Sequence, residues 1–373
     1  MPRKAPILCF TVTTDLNYDQ RMIRICTSLA EAGYRVKLIG RLQKDSTPLS
    51  QQNFEQLRLR TWFEKGKLFY IEYNIRLFLY LLIQKTDLIG AIDLDTIMPV
   101  LWVSKLRNKK RIYDAHELFC EMKEIVTRPF IYKCWKWIER HSVPHFKQGY
   151  TVNQPIADAF KEMYNVNYTL IRNIAALREL PRITFPTEKF LLYQGAVNEG
   201  RCFETLIPAM QWVDLPLYIC GDGNFMQQAK ELVTQYHLQE KVIFKGKLKP
   251  DELRELTTKA FLGFTLFDAT GKSNYYSLAN RFFDYLHAGI PQICVDFPVY
   301  RDFMQPYPFA LLCNDTSAEG LAAHIQQLTN NPEIYQSLKE NCLKARNLFN
   351  WQLEAKQLVS FYQHILPLPT KQE

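Results

Sequence analysis

Along this chain, short unbroken apolar runs alternate with stretches in which apolar positions recur every three or four residues. In the first half the runs are ILCFTVT, RVKLIG, LRLRTW, DLIGAID, RIYDA, GYTVN and YTLIRN. Apolar runs of this length without polar alternation suit strands buried on both faces, and the helical periodicity between them suits the covering layers. DQRMIRICTSLAEAG, after the first run, closes at Gly33 before the second, as βαβ punctuation requires. A segment at 174–188 with two prolines and little periodicity interrupts the pattern. It restarts as FLLYQGA, LPLYICGDG, KVIFKG, AFLGFTLFD, PQICVDF and FALLCN.

The predicted class is therefore α/β, with two Rossmann-like doubly wound domains over 1–175 and 176–350 and a closing helix over 351–368 that can pack back on the first. Two such domains in series would face a central cleft at the carboxyl ends of their sheets, where open α/β sheets place ligands. NYYSLANRFFDYLHAGIP predicts a helix capped by Ser277 and ending at Ala288 before Gly289 and Pro291. Leu278, Phe282, Tyr285 and Leu286 form its apolar face, and Ser277, Asn280 and Asp284 line up on another.

Composition narrows the class. A chain of 373 residues with 47% hydrophobic residues, 13% aromatic and no internal repeat can fill two cores and is not disordered. Nine scattered cysteines without a C-x-x-C pair suit a reduced, cytoplasmic protein. The apolar part of MPRKAPILCFTVTTD is too short for a signal peptide. LFYIEYNIRLFLYLLIQK carries Glu72, Asn74 and Arg76 and is not expected to span a membrane, although it can touch one. Residues 1–180 hold 28 Lys and Arg against 18 Asp and Glu, while the rest hold 18 against 20. A basic first half suits an anionic partner, whether phosphate, lipid or nucleic acid, or a plain solvated surface. Aromatic and basic residues also alternate in WFEKGKLFY, RNKKR and RPFIYKCWKWIERH, which suits an anionic headgroup layer.

Two phosphate-loop look-alikes fail. GAVNEGRC has Arg201 and Cys202 where Lys and a metal-binding hydroxyl belong, and TGKS has Leu266 in place of the upstream glycine. No G-x-G-x-x-G follows the first strand. What survives is a glycine turn at Gly195 and Gly200 leading into Arg201, a residue able to fork onto a diphosphate or to pair with Glu204. GDG at 221–223 is a turn at a strand end. Helix amides after Ser277 favour an anion, and Asp284 lies about 10 Å further along the axis, a spacing that suits ribose. A plain cap and a satisfied buried acid account for the same two residues.

YQGAVNEGRCFETLIPAM, YICGDGNFMQQAKELV, KVIFKGKLKPDELRELTTKAFLGFTL and SLANRFFDYLHAGIPQICVDFP resemble, in order and spacing, the second domain of the retaining glycosyltransferases of family 4, which have the GT-B fold. DLNYDQRMIRICTSLAEAGYRVKLIGR, IDLDT and YDAHELF are similar to the first domain of its bacterial surface-polysaccharide members. The resemblance implies a UDP- or GDP-linked sugar donor held by the second domain, an acceptor held by the first, and transfer with retention without a required metal or cofactor. It implies donor contacts from Gly195, Arg201, Gly221, Asn274, Tyr276, Ser277, Leu278, Asn280 and Asp284, with Arg201 in place of a diphosphate-binding Lys and Asp284 in place of a ribose-binding Glu. The first Glu of the family's E-x7-E pattern is here Tyr276, and the Arg expected after the strand glycine is Ala196.

His116 of YDAHE falls where the family often has a histidine near the reacting sugar, and with Arg201 it is the candidate catalytic residue; a structural histidine is the alternative. Asp19, Arg21, Asp95 and Glu117 complete the candidate acceptor side, with Asp19 equally explained by the helix dipole. The implied partners are a nucleotide sugar, a glycan or lipid-linked acceptor and an anionic membrane at the inner face of the plasma membrane, with no nucleic acid. An epimerase of the same fold and a non-catalytic sugar-nucleotide-binding protein are the alternatives.

Overall fold

The computed structural model describes residues 5–180, 188–269 and 272–369. Two compact units make up the chain, Met1–Asn173 with Leu353–Glu373, and Ile174–Gln352. The division falls at 173/174, where 175/176 was expected, and the closing helix belongs from Leu353 onward to the first unit. Part of the expected linker, 181–187, lies outside the described residues, as does the start of TGKS.

In the first unit seven parallel strands form one sheet, β1 (Ile7–Thr11), β2 (Arg35–Leu42), β3 (Glu55–Arg60), β4 (Leu88–Ile92), β5 (Lys110–Ala115), β6 (Gly149–Thr151) and β7 (Thr169–Leu170), in the order β3-β2-β1-β4-β5-β6-β7. In the second unit β8 (Leu191–Gln194), β9 (Leu217–Cys220), β10 (Val242–Gly246), β11 (Leu262–Thr265), β12 (Gln292–Val295) and β13 (Ala310–Cys313) are ordered β10-β9-β8-β11-β12-β13. Every apolar run read from the sequence supplies one strand. Strand order reverses beside the first strand of each sheet, between β1 and β4 and between β8 and β11, which is where such sheets open a ligand crevice.

Local chemistry sets the helix ends. Helix α1 (Gln20–Glu31) starts because Asp19 Oδ1 accepts the Met22 amide at 3.0 Å, and the chain leaves it through Gly33 at φ +106°. The LFYIEYNIRLFLYLLIQK stretch becomes α2 (Gly66–Ile83), followed by α3 (Ile97–Leu106), and no helix among the described residues is long and apolar enough to cross a membrane. The helix expected from Ser277 instead runs Asn280–Ala288. Ser277 caps nothing: the Ala279 amide is taken by the Tyr300 hydroxyl at 3.2 Å, a tertiary acceptor in place of a local one. Gly289, at φ +71°, ends the helix as its spacing implied.

Aromatic packing ties the closing helix, Trp351–Ile365, to the first sheet. Tyr362 is fully buried, lies edge-on to Phe10 at 5.9 Å and to Tyr34 at 6.4 Å, and its hydroxyl is 3.2 Å from that of Tyr150. Tyr362→Ala should lower the stability of the first unit by about 3–5 kcal/mol, the usual cost of an excavated core aromatic. Urea unfolding followed through a probe in that unit measures it, and the transition of the second unit should stay in place.

Candidate functional site

β4 and β5 end side by side, with Ile92 in register with Asp114, and the polar residues of the first unit gather there. Asp93, the first residue after β4, sits at φ +53°, a conformation that costs a side-chain-bearing residue on the order of 1–3 kcal/mol. Its carboxylate justifies the strain by holding His116 twice. Oδ1 accepts the His116 backbone amide at 3.0 Å and Oδ2 lies 2.9 Å from Nδ1. On the far side of the ring, Nε2 lies 3.1 Å from Asp114 Oδ2.

Asp114 is fully buried, and Arg21, itself buried, forks onto it with Nε at 3.1 Å and Nη2 at 2.8 Å. The remaining guanidinium contact, to the Ile171 carbonyl at 3.2 Å, is also internal. Burial works against the Asp114 charge, but Arg21 and then His116 outweigh it and hold the carboxyl below its ordinary value. For His116 burial works against protonation, yet Asp114 and Asp93 carry its pKa up to about 10. At neutral pH it is an imidazolium with both N–H groups turned to carboxylates, a source of positive charge that accepts no proton.

Asp95 lies one turn on, in the 3-10 segment Leu94–Thr96. Thr13 donates to its Oδ2 at 2.8 Å, while Oδ1 is buried without a partner. Burial pushes its pKa up to about 7, the Thr13 bond opposing and Asp93 adding to the rise. Of the other acceptor-side candidates, Asp19 uses one oxygen as the α1 cap and takes the Thr14 hydroxyl on the other at 2.8 Å. Arg21 is committed to Asp114, so its place is beneath the sheet end and its effect passes through that carboxylate. Glu117 is half-buried next to His116.

In the second unit the loops after β8 and β9 are laced together. The Gly195 amide donates to Cys220 O at 2.9 Å and the Val197 amide to Asp222 O at 3.1 Å. A Cβ on Gly221, at φ +150°, would stand 1.8 Å from the Gly195 carbonyl oxygen, so only glycine allows this approach. Gly200, at φ +78°, lies against Asn274 and Asp268. Arg201 Nη1 donates to Asn274 Oδ1 at 2.8 Å, Asn274 Nδ2 donates to Asp268 Oδ1 at 2.9 Å, and the guanidinium lies 4.3 Å from the centroid of Phe267.

Asp284 is half-buried and accepts Gln194 Nε2 at 3.1 Å, which fixes it beside the end of β8. Because the helix begins at Asn280, it stands four residues from the helix start, roughly 6 Å, and not the expected 10 Å. Asn280 is exposed at the first helical position, Tyr276 and Ser277 are half-buried in the approach to it, and Leu278 is buried in the core. The structure thus groups Gly195, Gly221, Arg201 and Asn274 near the strand ends and sets Asp284 against Gln194; Leu278 has a packing role.

Residues 181–345 match the family model described as glycosyl transferases group 1. No curated protein matches the chain. Among solved structures, a sucrose-phosphate synthase from Thermosynechococcus elongatus is similar at a TM-score of 0.79 and 19% identity, covering 96% of this chain and 99% of that one. Anabaena HepE in complex with UDP and glucose follows at 0.76 and 12%, covering 95% and 98%. WaaG, a glycosyltransferase involved in lipopolysaccharide biosynthesis, gives 0.72 and 14%, also covering 95% and 98%. The fold is GT-B. At these identities the likeness is one of architecture, and the GT-B assignment rests on two Rossmann-like parallel sheets of matching order.

Three residues escaped the sequence reading. Asp93 could have been found from I-D-L-D, where an acid directly ends a buried run. Gln194 likewise closes LLYQ, yet is almost fully buried and bridges Asp284 to Thr257. Arg281 is three residues after Leu278 and four before Tyr285, a spacing that puts it on the apolar face.

The His116 geometry has a pH signature. Between about 6.5 and about 10 the folded chain holds a proton on His116 that the unfolded chain has lost, so that contribution to stability is complete below the lower value and fades as pH rises through the upper. The urea midpoint of wild type should fall from pH 7 to pH 10, and His116→Gln should flatten that fall. An imidazole NMR titration with a midpoint near 6.5 would contradict the assignment.

Proposed function

We propose that the chain is a glycosyltransferase that moves a sugar from a nucleotide-diphospho-sugar to a glycan or lipid-linked acceptor with retention of configuration. The observation that carries this reading is the match of residues 181–345 to glycosyl transferases group 1. It falls on the unit whose glycine turns and Arg201 suit a diphosphate. The HepE structure, which holds UDP and glucose, supports a nucleotide-sugar donor, UDP- or GDP-linked here.

In this reading the backbone at Gly195 and Gly221 admits the diphosphate closely, Arg201 meets its charge, and Asp284 accepts from ribose hydroxyls. The acceptor belongs to the first unit. There the His116 imidazolium, with its ring nitrogens turned to Asp93 and Asp114, supplies positive charge at the sheet end where the acceptor is held. A group that is already protonated takes no proton from the acceptor, so a leaving-group oxygen takes it as attack comes from the face the diphosphate leaves. Arginine charge serves the departing diphosphate, and the reaction is assigned no resident cofactor.

Thermal stabilisation by UDP against GDP tests the donor class, since a ligand of the native state raises its stability by mass action. Arg201→Ala should weaken nucleoside diphosphate binding by about 1.5–3 kcal/mol and leave nucleoside affinity unchanged, read by calorimetry. NMR of the product should show the anomeric configuration of the donor; an inverted product overturns the mechanism.

The first unit also has a surface suited to an anionic membrane, which would present a lipid-linked acceptor. Along α2, Leu68, Ile71, Ile75, Leu79 and Ile83 all face solvent, and Trp102 and Leu106 of α3 are exposed as well. Trp62, 84% exposed, stands under Arg76, and Phe130 lies under Lys67. An apolar strip edged by aromatic rings and cations is the composition of a helix lying in the headgroup layer. The protein should float with anionic liposomes at low salt and be released at high salt. Ile75→Glu with Leu79→Glu should abolish flotation, and absence of binding in wild type would remove the membrane from the proposal.

A further inference from the structure

Arg281 is 7% exposed and is held by neutral groups only. Its Nη1 reaches the Tyr193 hydroxyl at 2.8 Å and the Gln194 carbonyl at 3.4 Å, its Nη2 reaches the Leu266 carbonyl at 3.4 Å, and its Nε is buried without a partner. No carboxylate among the described residues pairs with it. Burying a guanidinium without a counter-charge is expensive, and of the three contacts here only the one to Tyr193 is short. Aromatic faces supply part of the compensation: the guanidinium carbon is 4.7 Å from the Tyr193 centroid and 4.9 Å from that of Phe267.

The position explains the cost. A Cβ on Gly195 would come within 3.1 Å of Arg281 Nη1, so the glycine turn opens directly beside the unpaired charge. Arg201 lies over the same Phe267 ring, 4.3 Å from its centroid, which gathers two guanidiniums around one aromatic side chain. Arg281 also lies in the first turn of the helix Asn280–Ala288, whose positive end favours an anion. A paired anion such as a diphosphate has two charged groups to meet, and here are two cations, one tied to Asn274 and one without a counter-ion.

We infer that Arg281 is the second diphosphate-binding arginine of this unit, approaching from the helix start and supplying the cation that Ala196 does not. The inference rests on the nucleotide-sugar reading for the identity of its ligand but on the geometry of Arg281 for the anion site itself. Calorimetric titration of the full chain with UDP, GDP, inorganic pyrophosphate and the matching nucleoside tests both. Arg281→Gln should weaken the preferred diphosphate and pyrophosphate roughly 10- to 100-fold, the range for a lost charge-assisted bond, with nucleoside affinity unchanged. Arg281→Lys, which keeps the charge and loses the fork, should fall between the two. If wild type binds UDP or GDP and Arg281→Gln binds it equally well, the inference fails and the nucleotide-sugar reading stands. If pyrophosphate binding depends on Arg281 while neither nucleotide binds, the anion site stands and that reading fails. Equal loss of nucleoside and diphosphate affinity would mean that Arg281 supports the fold, and it overturns the proposal.

Discussion

A parallel strand covered by helices on both faces has no solvent side, so polar chemistry is confined to the place where the strand stops. Nearly every residue of interest here obeys that constraint. Asp93 follows β4, Asp114 is next to last in β5, Gln194 and Gly195 end β8, and Gly221 follows β9. Closure of the ladders around them makes each position exact: the Gly195 amide still bonds to Cys220 and the Asp93 amide to Asp114, so the sheet hydrogen bonding runs one residue past the formal strand ends. Side chains mounted there inherit the rigidity of a sheet while standing at the strand ends, where open α/β sheets place ligands.

The two units treat buried charge in opposite ways. In the first, Asp114 has no solvent exposure and is neutralised from both sides, by the fork of Arg21 and by His116, with Asp93 completing a chain of alternating sign. Removing Asp114 would leave the buried Arg21 guanidinium without its carboxylate, a loss that commonly costs about 3–5 kcal/mol. That chain is self-sufficient and explains why His116 is so strongly held in one protonation state. In the second unit Arg281 has rings, a tyrosine hydroxyl and carbonyls but, among the described residues, no acid. A closed network suits a group that must keep its orientation; an open one suits a group whose partner arrives from solution.

The strands were legible because each is a run of apolar residues with turn chemistry at both ends, a signal that is local and needs no knowledge of neighbours. Candidate ligand residues were legible in part for the same reason: glycine turns and a strand-terminal histidine stand at the ends of those runs. What failed was whatever a distant residue decides. Ser277 has the composition of a cap, but the Tyr300 hydroxyl takes the Ala279 amide and the helix begins two residues later than local rules imply. The pairing of Arg21 with Asp114 spans 93 positions and left no local trace, so Arg21 read as a residue lining the site when it is buried beneath it. Arg281 was different. Its spacing relative to Leu278 and Tyr285 already placed a cation on the apolar face of a helix, and a charge at such a position asks for a partner whether or not the sequence names one.

Asp95 is the acid of the first unit that burial carries towards neutral pH. Its Oδ1 is buried without a partner, Thr13 holds the other oxygen, and its pKa is raised to about 7. The physical direction is opposite to that of His116. Burial keeps the carboxyl protonated to higher pH than in the unfolded chain, so its ionisation erodes stability as pH rises from about 4 towards 7 and beyond that leaves a charged oxygen facing nothing. An acceptor hydroxyl donating to that oxygen would relieve the cost, and the same hydrogen bond would fix the hydroxyl's orientation. Any ligand hydroxyl that donates to this oxygen is therefore linked to the ionisation of Asp95, each favouring the other.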